Sequence, residues 1–155
     1  MNTDTEHLLL RRAVELAAAN VRGGGRPFGA LVVLDGQVLA EGVNTTTSSG
    51  DPVAHAEAEA IRAACRERGT LRLDDAVVYA SGEPCVMCQA LAKAVGVAAM
   101  VFAVSSAEAA VAGWPFSEES LRLHAAWTAA AGGYARQGDV PEAAQPISSW
   151  ATAQP

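Results

Sequence analysis

The chain has 155 residues, of which 50% are hydrophobic and 18% are charged, so length and composition predict one globular domain with one core. Its formal net charge is −6 and Lys93 is its only lysine. Because proteins that bind DNA or RNA usually carry a basic face, a nucleic-acid partner is disfavoured. No stretch resembles a signal peptide or is long and apolar enough to span a bilayer, so we expect a cytoplasmic protein without a membrane partner.

Apolar periodicity and turn residues predict alternating helices and strands. In chain order the predicted elements are a helix over 4–21, strands over 30–34 and 37–43, a helix over 54–68, a strand over 76–80, a helix over 85–95, a strand over 98–103, a short helix opened by Ser105 and a helix over 117–131. Asp35-Gly36 between the first two strands is typical of a hairpin turn. This alternation indicates a layered α/β domain.

Three segments are predicted to be irregular. They are a polar loop over 44–52, a loop over 113–116 and a polar, proline-containing tail over about 134–155. No internal repeat or domain-sized linker separates these segments, so residues 1–155 are predicted to form a single domain.

Two short motifs carry metal-binding residue types. His-Ala-Glu over 55–57 offers an imidazole followed by a carboxylate, and Pro-Cys-Val-Met-Cys over 84–88 offers two thiols on one face of a helical turn. A catalytic zinc site typically has three protein ligands and an open fourth position. The predicted Zn2+ ligands are therefore His55, Cys85 and Cys88. Glu57 is left over as the predicted catalytic group, which would carry protons to and from the reacting water.

Each motif has other interpretations when it is considered alone. H-x-E occurs often by chance, and C-x-x-C also occurs in structural zinc sites and redox dithiols. A structural site would need a fourth Cys or His, but the spare candidates Cys65, His7 and His124 have no paired spacing. Cys65 and His124 are expected to be structural. The odd number of cysteines also favours a reducing compartment over a disulfide framework.

Further candidate residues could contact a substrate. Asn44 is either a turn residue, a role that asparagine favours, or an amide that binds a ring. Trp114 and Phe116 either belong to the core or form a wall against a flat aromatic substrate. Phe28 fits the core and is also a candidate substrate contact.

The motifs described above resemble those of the cytidine deaminase-like superfamily, and within it those of the small bacterial guanine deaminases. The resemblance covers nearly the whole chain and rests on residues 26–30, 41–44, 51–57, 83–88 and the tail around Trp150. H-x-E together with P-C-x-x-C is the signature of zinc deaminases. The resemblance implies a three-layer α-β-α domain with a central mixed sheet.

The resemblance also implies roles for individual residues. It supports the zinc ligands named above, Glu57 as the general acid and base, Asn44 as a residue that binds the base, and Ala56 as a backbone contact to the substrate. In that group the C-terminal segment can exchange between subunits and cover the partner's site. A homodimer is therefore implied here, with the segment over about 134–155 as a lid or swapped segment.

The leading functional prediction is zinc-dependent hydrolytic deamination of a free nucleobase or nucleoside, with guanine to xanthine plus ammonia as the first candidate. The partners would be a small heterocyclic amine and water. One alternative is deamination of another small ring such as cytosine, a nucleoside, a triazine or a pterin. A second is a tRNA adenosine deaminase, which the acidic charge disfavours. A third is an inactive binding protein that zinc stabilises.

Overall fold

The computed structural model describes residues 3–155, so Met1 and Asn2 of the predicted domain lie outside the described residues. The helices are α1 (Thr3–Arg22), α2 (Thr46–Ser49), α3 (Ala56–Arg68), α4 (Val86–Ala94), α5 (Ser106–Val111), α6 (Glu118–Ala131) and α7 (Gln145–Thr152). The strands are β1 (Gly29–Leu34), β2 (Gln37–Val43), β3 (Val77–Gly82), β4 (Ala99–Val104) and β5 (Ala135–Gln137).

The five strands form one mixed sheet in the order β2-β1-β3-β4-β5. β1 pairs antiparallel with both β2 and β3, whereas β3, β4 and β5 run parallel to one another. The hairpin between β1 and β2 turns at Asp35 and Gly36, whose φ angles of 51° and 76° are typical of a type I′ turn. The predicted mixed sheet is therefore confirmed.

The sheet separates two hydrophobic clusters, because successive side chains of a strand point to opposite faces. Val32 of β1 and Val78 of β3 belong to the cluster that α3 and α4 cover. Their neighbours Leu31 and Tyr79 belong to the cluster that α1 and the C-terminal segment cover, where Leu10 of α1 is fully buried. Helices thus lie on both faces of the sheet, as the predicted three-layer arrangement requires.

The structure differs from the sequence prediction mainly in the C-terminal segment. Residues predicted as an irregular tail contain β5, which pairs with β4, and α7, which packs against α1. The predicted loop over 44–52 includes the short helix α2. The α3 helix begins two residues later than predicted, and α4 is one residue shorter at each end.

Two predicted helix starts are confirmed by their hydrogen bonds. The Ser105 hydroxyl accepts from the backbone N–H of Glu108, whose carboxylate accepts from Ser105 N–H, so α5 opens with a capping box. The Ser117 hydroxyl accepts from Ser120 N–H at the start of α6. Within residues 3–155, no helix combines the length and apolar character that crossing a membrane would require.

Candidate active site and metal centre

The two motifs meet at one edge of the sheet because each stands at the N-terminus of a helix. His55 is the N-cap of α3, and Cys85 is the N-cap of α4, three residues after β3 ends at Gly82. The N-terminus of an α-helix carries partial positive charge from its unpaired N–H groups, and two such ends converge here. The local backbone therefore favours thiolates and other anions at this edge.

Three potential ligand atoms lie close together in this region. His55 Nδ1 is 3.5 Å from Cys85 Sγ and 3.7 Å from Cys88 Sγ, and all three ligand atoms lie within 4.8 Å of one another. A tetrahedral zinc ion with bonds of about 2.0–2.1 Å to nitrogen and 2.3 Å to sulfur has N–S edges of about 3.6 Å. The donor set and the two measured distances therefore fit zinc.

The pKa values of the two thiols are shifted in opposite directions. The hydrogen bond from the Cys88 thiol lowers the pKa of Cys85 to about 4, although burial partly opposes the effect. The same hydrogen bond and burial raise the pKa of Cys88. One negative charge is thus stabilised between the two sulfurs, and a bound divalent cation stabilises the second thiolate.

Glu57 lies in the first turn of α3, beside these ligand atoms. It is buried, with 6% of its surface exposed. Burial and the negative charge on Cys85 raise the pKa of Glu57 to about 7. A carboxyl group with this pKa exchanges protons readily near neutral pH, which is what a general acid and base requires.

A cavity of about 330 Å³ opens beside the metal-binding residues. All five predicted substrate contacts lie on its wall: Phe28, Asn44, Ala56, Trp114 and Phe116. Phe28 and Trp114 meet edge to face, with ring centroids 4.6 Å apart. Phe28, Trp114 and Phe116 also pack against the hydrophobic clusters, so these rings serve both the core and the cavity wall.

Asn20 joins the two polar segments of this wall. Its side-chain Nδ2 donates to the backbone carbonyls of Arg26, at 2.7 Å, and Asn44, at 2.9 Å. Gly25 allows this contact, because a Cβ there would lie 2.6 Å from the Asn20 amide. No pattern in the sequence points to Asn20, because its partners are backbone carbonyls, which leave no signal in the residue pattern.

Glu83, Gln89 and Trp127, to which the sequence analysis gives no role, join His124 in tying α6 to the start of α4. His124 Nε2 lies 2.7 Å from Glu83 Oε1, and both side chains are largely buried. Gln89 is 2% exposed and bridges two groups: its amide donates to Pro84 O and accepts from Trp127 Nε1, both at 2.8 Å. His124 is therefore paired with Glu83 in the structure, and its structural role stays a prediction.

The C-terminal segment reaches the same wall. Trp150 of α7 packs against Trp114, with ring centroids 4.7 Å apart and ring planes tilted by 47°. A Cβ at Gly113 would lie 2.7 Å from the Ala151 Cβ, so the loop before α6 and α7 are in close contact. The position of the Trp114 ring thus depends on α7.

Comparison with known proteins identifies the family of the chain. A sequence model of the cytidine and deoxycytidylate deaminase zinc-binding region matches residues 3–104, which contain both metal-binding motifs and Glu57. The chain belongs to this deaminase family. It is therefore a hydrolytic deaminase with zinc as its cofactor, and the three residues of the cluster are positioned to bind that metal.

Individual relatives support the same assignment. Guanine deaminase of Bacillus subtilis is 46% identical over 115 residues, which are 74% of this chain and 72% of that protein. A solved structure of guanine deaminase from Nitrosomonas europaea has a TM-score of 0.76 and 25% identity, and the match covers 94% of this chain and 84% of that one. A tRNA-specific adenosine deaminase of Agrobacterium fabrum is 44% identical over 81 residues, 50% of this chain and 53% of that protein. The chain thus spans about half the length of the tRNA deaminase.

Proposed function

We propose that the protein deaminates a free nucleobase by hydrolysis, with guanine as the first substrate and xanthine and ammonia as products. The similarity to guanine deaminases over most of the chain supports this choice, whereas the similarity to the tRNA deaminase covers half of it. The cavity of about 330 Å³ is lined by aromatic rings and suits a flat heterocycle. The formal charge of −6 argues against tRNA, whose binding is strongly electrostatic.

The roles of the residues follow from their positions. His55, Cys85 and Cys88 would hold the zinc, which supplies a Lewis acid that lowers the pKa of water. Glu57, buried beside them, takes a proton from the attacking water and delivers it to a ring nitrogen. It then helps to protonate the departing amine. The ring carbon gains the water oxygen, its bond to nitrogen breaks, and ammonia leaves.

The substrate ring would lie between the aromatic residues of the wall and the edge of α3. Phe28, Trp114 and Phe116 offer flat apolar surfaces, while Asn44 and the backbone at Ala56 offer polar contacts. Trp114 and Phe116 also favour a second candidate, another aminated aromatic ring such as cytosine, a triazine or a pterin. Both candidates use the same reaction at the same residues.

The test is ammonia release by the zinc-loaded protein from guanine, guanosine, adenosine, cytosine, cytidine, ammeline and a pterin. Glu57→Gln is the control, because it keeps the shape of the side chain and the metal ligands but loses the proton carrier. We expect turnover of guanine by the wild type, and an unchanged zinc content with turnover reduced by at least about 100-fold in the variant. An active Glu57→Gln protein would contradict the proposed role of Glu57, and turnover of another ring with guanine unreactive would replace guanine as the substrate.

We further infer that the chain acts as a homodimer in the cytoplasm and that the segment 134–155 closes the cavity. The contact between Trp150 and Trp114 supports the second point, because it connects this segment to the cavity wall. Light scattering would measure the oligomeric state. Trp150→Ala should raise KM for the substrate more than it lowers kcat, and an unchanged KM would contradict the role of a lid.

A further inference from the structure

The cavity wall also offers hydrogen-bond donors that are not metal ligands. Asn44 Oδ1 accepts from the backbone N–H of Thr46, at 3.1 Å, and from its hydroxyl, at 2.7 Å. Because a backbone N–H can only donate, the amide atom that faces it is the oxygen, and Asn44 Nδ2 is left for a ligand. The carboxylate of Glu83 is already engaged on both oxygens, by Ser106 N–H and His124 Nε2, each at 2.7 Å.

Arg26 adds a charged donor to the same wall. It is half-buried and lines the cavity, and its guanidinium carbon is 5.8 Å from the centroid of the Trp114 ring. None of the ion pairs found within residues 3–155 involves Arg26. Asn20 fixes the backbone from which this side chain extends, by its hydrogen bond to Arg26 O. The guanidinium therefore stands at the cavity with its donors uncommitted to a carboxylate.

We propose that Arg26 is a specificity-determining residue, which donates to a carbonyl oxygen of the substrate ring at a carbon other than the one that loses its amine. This inference rests on the proposed function, because it states which heterocycles the same site accepts. An oxo group accepts hydrogen bonds from the guanidinium and from Asn44 Nδ2. An amino group at that position would face donors with its own N–H groups, so the site should discriminate against it.

A nucleotide phosphate could also accept hydrogen bonds from Arg26, because its oxygens are acceptors like a carbonyl oxygen. The ring carbonyl is favoured because Arg26 lies against the flat face of Trp114, beside Phe28, where a ring would stack. No lysine or second arginine is found among the described residues that line the cavity, whereas a phosphate would be expected to recruit more than one cation.

Guanine and 2,6-diaminopurine provide a matched pair of probes, since they differ by an oxo or an amino group at one ring carbon and by the proton on the ring nitrogen beside it. Binding of both is measured by calorimetry with zinc-loaded protein in a Glu57→Gln background, so that neither ligand is consumed. Arg26→Met should weaken guanine binding by about 10-fold or more and leave 2,6-diaminopurine within about 2-fold. Arg26→Lys, which keeps the charge without the planar fork, should lie between them.

Trp114→Phe is the control for a role of Arg26 in packing, because it alters the ring beside the guanidinium and should weaken both ligands alike. If Arg26→Met also weakens both ligands equally, or neither, or if the protein binds neither ligand, the inference is wrong. Guanosine monophosphate is the third ligand in the binding experiment. If Arg26→Met weakens binding of the nucleotide more than binding of guanine, Arg26 contacts the phosphate and the inference is wrong.

Ammonia release separates this inference from the proposed function. A wild type that deaminates guanine with a kcat/KM that Arg26→Met does not change would contradict the inference alone. A protein that releases ammonia from no heterocycle, yet binds guanine in an Arg26-dependent manner, would contradict the proposed function alone.

Discussion

Gly42→Ala should damage the metal site from a distance, because α3 lies directly against this glycine. Gly42 is buried in β2 and pairs with Ala30 of β1. A Cβ at this position would lie 2.4 Å from both Ala56 O and Ala60 N, which are backbone atoms of α3. Ordinary contacts begin near 3.4 Å, so the first turn of α3 must retreat by about 1 Å.

This displacement falls on the residues that carry the chemistry. His55 is the N-cap of α3 and Glu57 lies in its first turn, whereas Cys85 and Cys88 belong to α4 and stay in place. Metal sites tolerate deviations of about 0.2 Å in ligand distances, so we expect zinc affinity to fall by about 10- to 100-fold. A misplacement of about 1 Å should lower kcat by about 100-fold even at saturating zinc.

Gly29→Ala is the matched control, since it crowds the opposite face of the sheet. A Cβ at Gly29 would lie 2.5 Å from Ala13 O and 2.9 Å from Ala17 N, both in α1. Each substitution should lower the free energy of unfolding by about 1–3 kcal/mol through overpacking. Urea unfolding measures this cost, a chromophoric chelator in competition measures zinc affinity, and ammonia release measures kcat. A Gly42→Ala protein with the zinc affinity and kcat of Gly29→Ala would refute the reasoning.

Three further substitutions test other contacts. Glu41→Gln removes the negative charge and one of the two hydrogen bonds from Arg12, each 2.8 Å long. It should lower the free energy of unfolding by less than about 1 kcal/mol at neutral pH, because solvent reaches both side chains. The hydrogen bond from Arg12 lowers the pKa of Glu41. The stabilisation is therefore present above the ordinary carboxyl pKa and is lost as the pH falls through the lowered value. A difference in unfolding free energy between the wild type and Glu41→Gln that persists in strong acid would contradict this reasoning. Trp127→Phe leaves the buried Gln89 oxygen without its donor. The free energy of unfolding in urea should fall by about 1–3 kcal/mol while kcat is retained. An unchanged free energy of unfolding would show that this hydrogen bond does not stabilise the fold. Asn20→Ala removes two hydrogen bonds to the backbone of the polar cavity wall. It should raise KM by about 5- to 30-fold without loss of zinc. An unchanged KM would show that these hydrogen bonds do not position the wall.

Much of the fold was predictable because its elements have local signals. The hairpin carries Asp35-Gly36 at its turn, and the starts of α5 and α6 carry capping serines. In contrast, β5 consists of Ala135–Gln137, which show no alternation of apolar and polar residues, and it is a strand because β4 offers a free edge for pairing. Likewise α7 begins with Gln145-Pro146 and contains two serines, so tertiary contacts with α1 decide its structure.

The candidate site divides in the same way between local and distant contacts. Its metal-binding residues lie within two segments, 55–57 and 85–88, and each segment stands at a helix N-terminus that the residue pattern predicts. The residues that position the cavity wall come from distant parts of the chain: Glu83 and His124 are 41 residues apart, and Asn20 reaches a carbonyl 24 residues away. No spacing rule connects such pairs, so only the structure brings them together.

This division explains why the reaction is easier to assign than the substrate. The groups proposed to hold zinc and move protons lie in two short motifs within the deaminase region over residues 3–104, and the chain is similar both to a guanine deaminase and to a tRNA-specific adenosine deaminase. The wall proposed to contact a substrate includes the segment before β1, the residue after β2 and the loop before α6, with α7 packed against that loop. A change in any of these segments can alter which ring fits without disturbing the metal. Arg26 and Trp114 lie in two of them and contact each other, so their contact is where a change of substrate within this chain should first be sought.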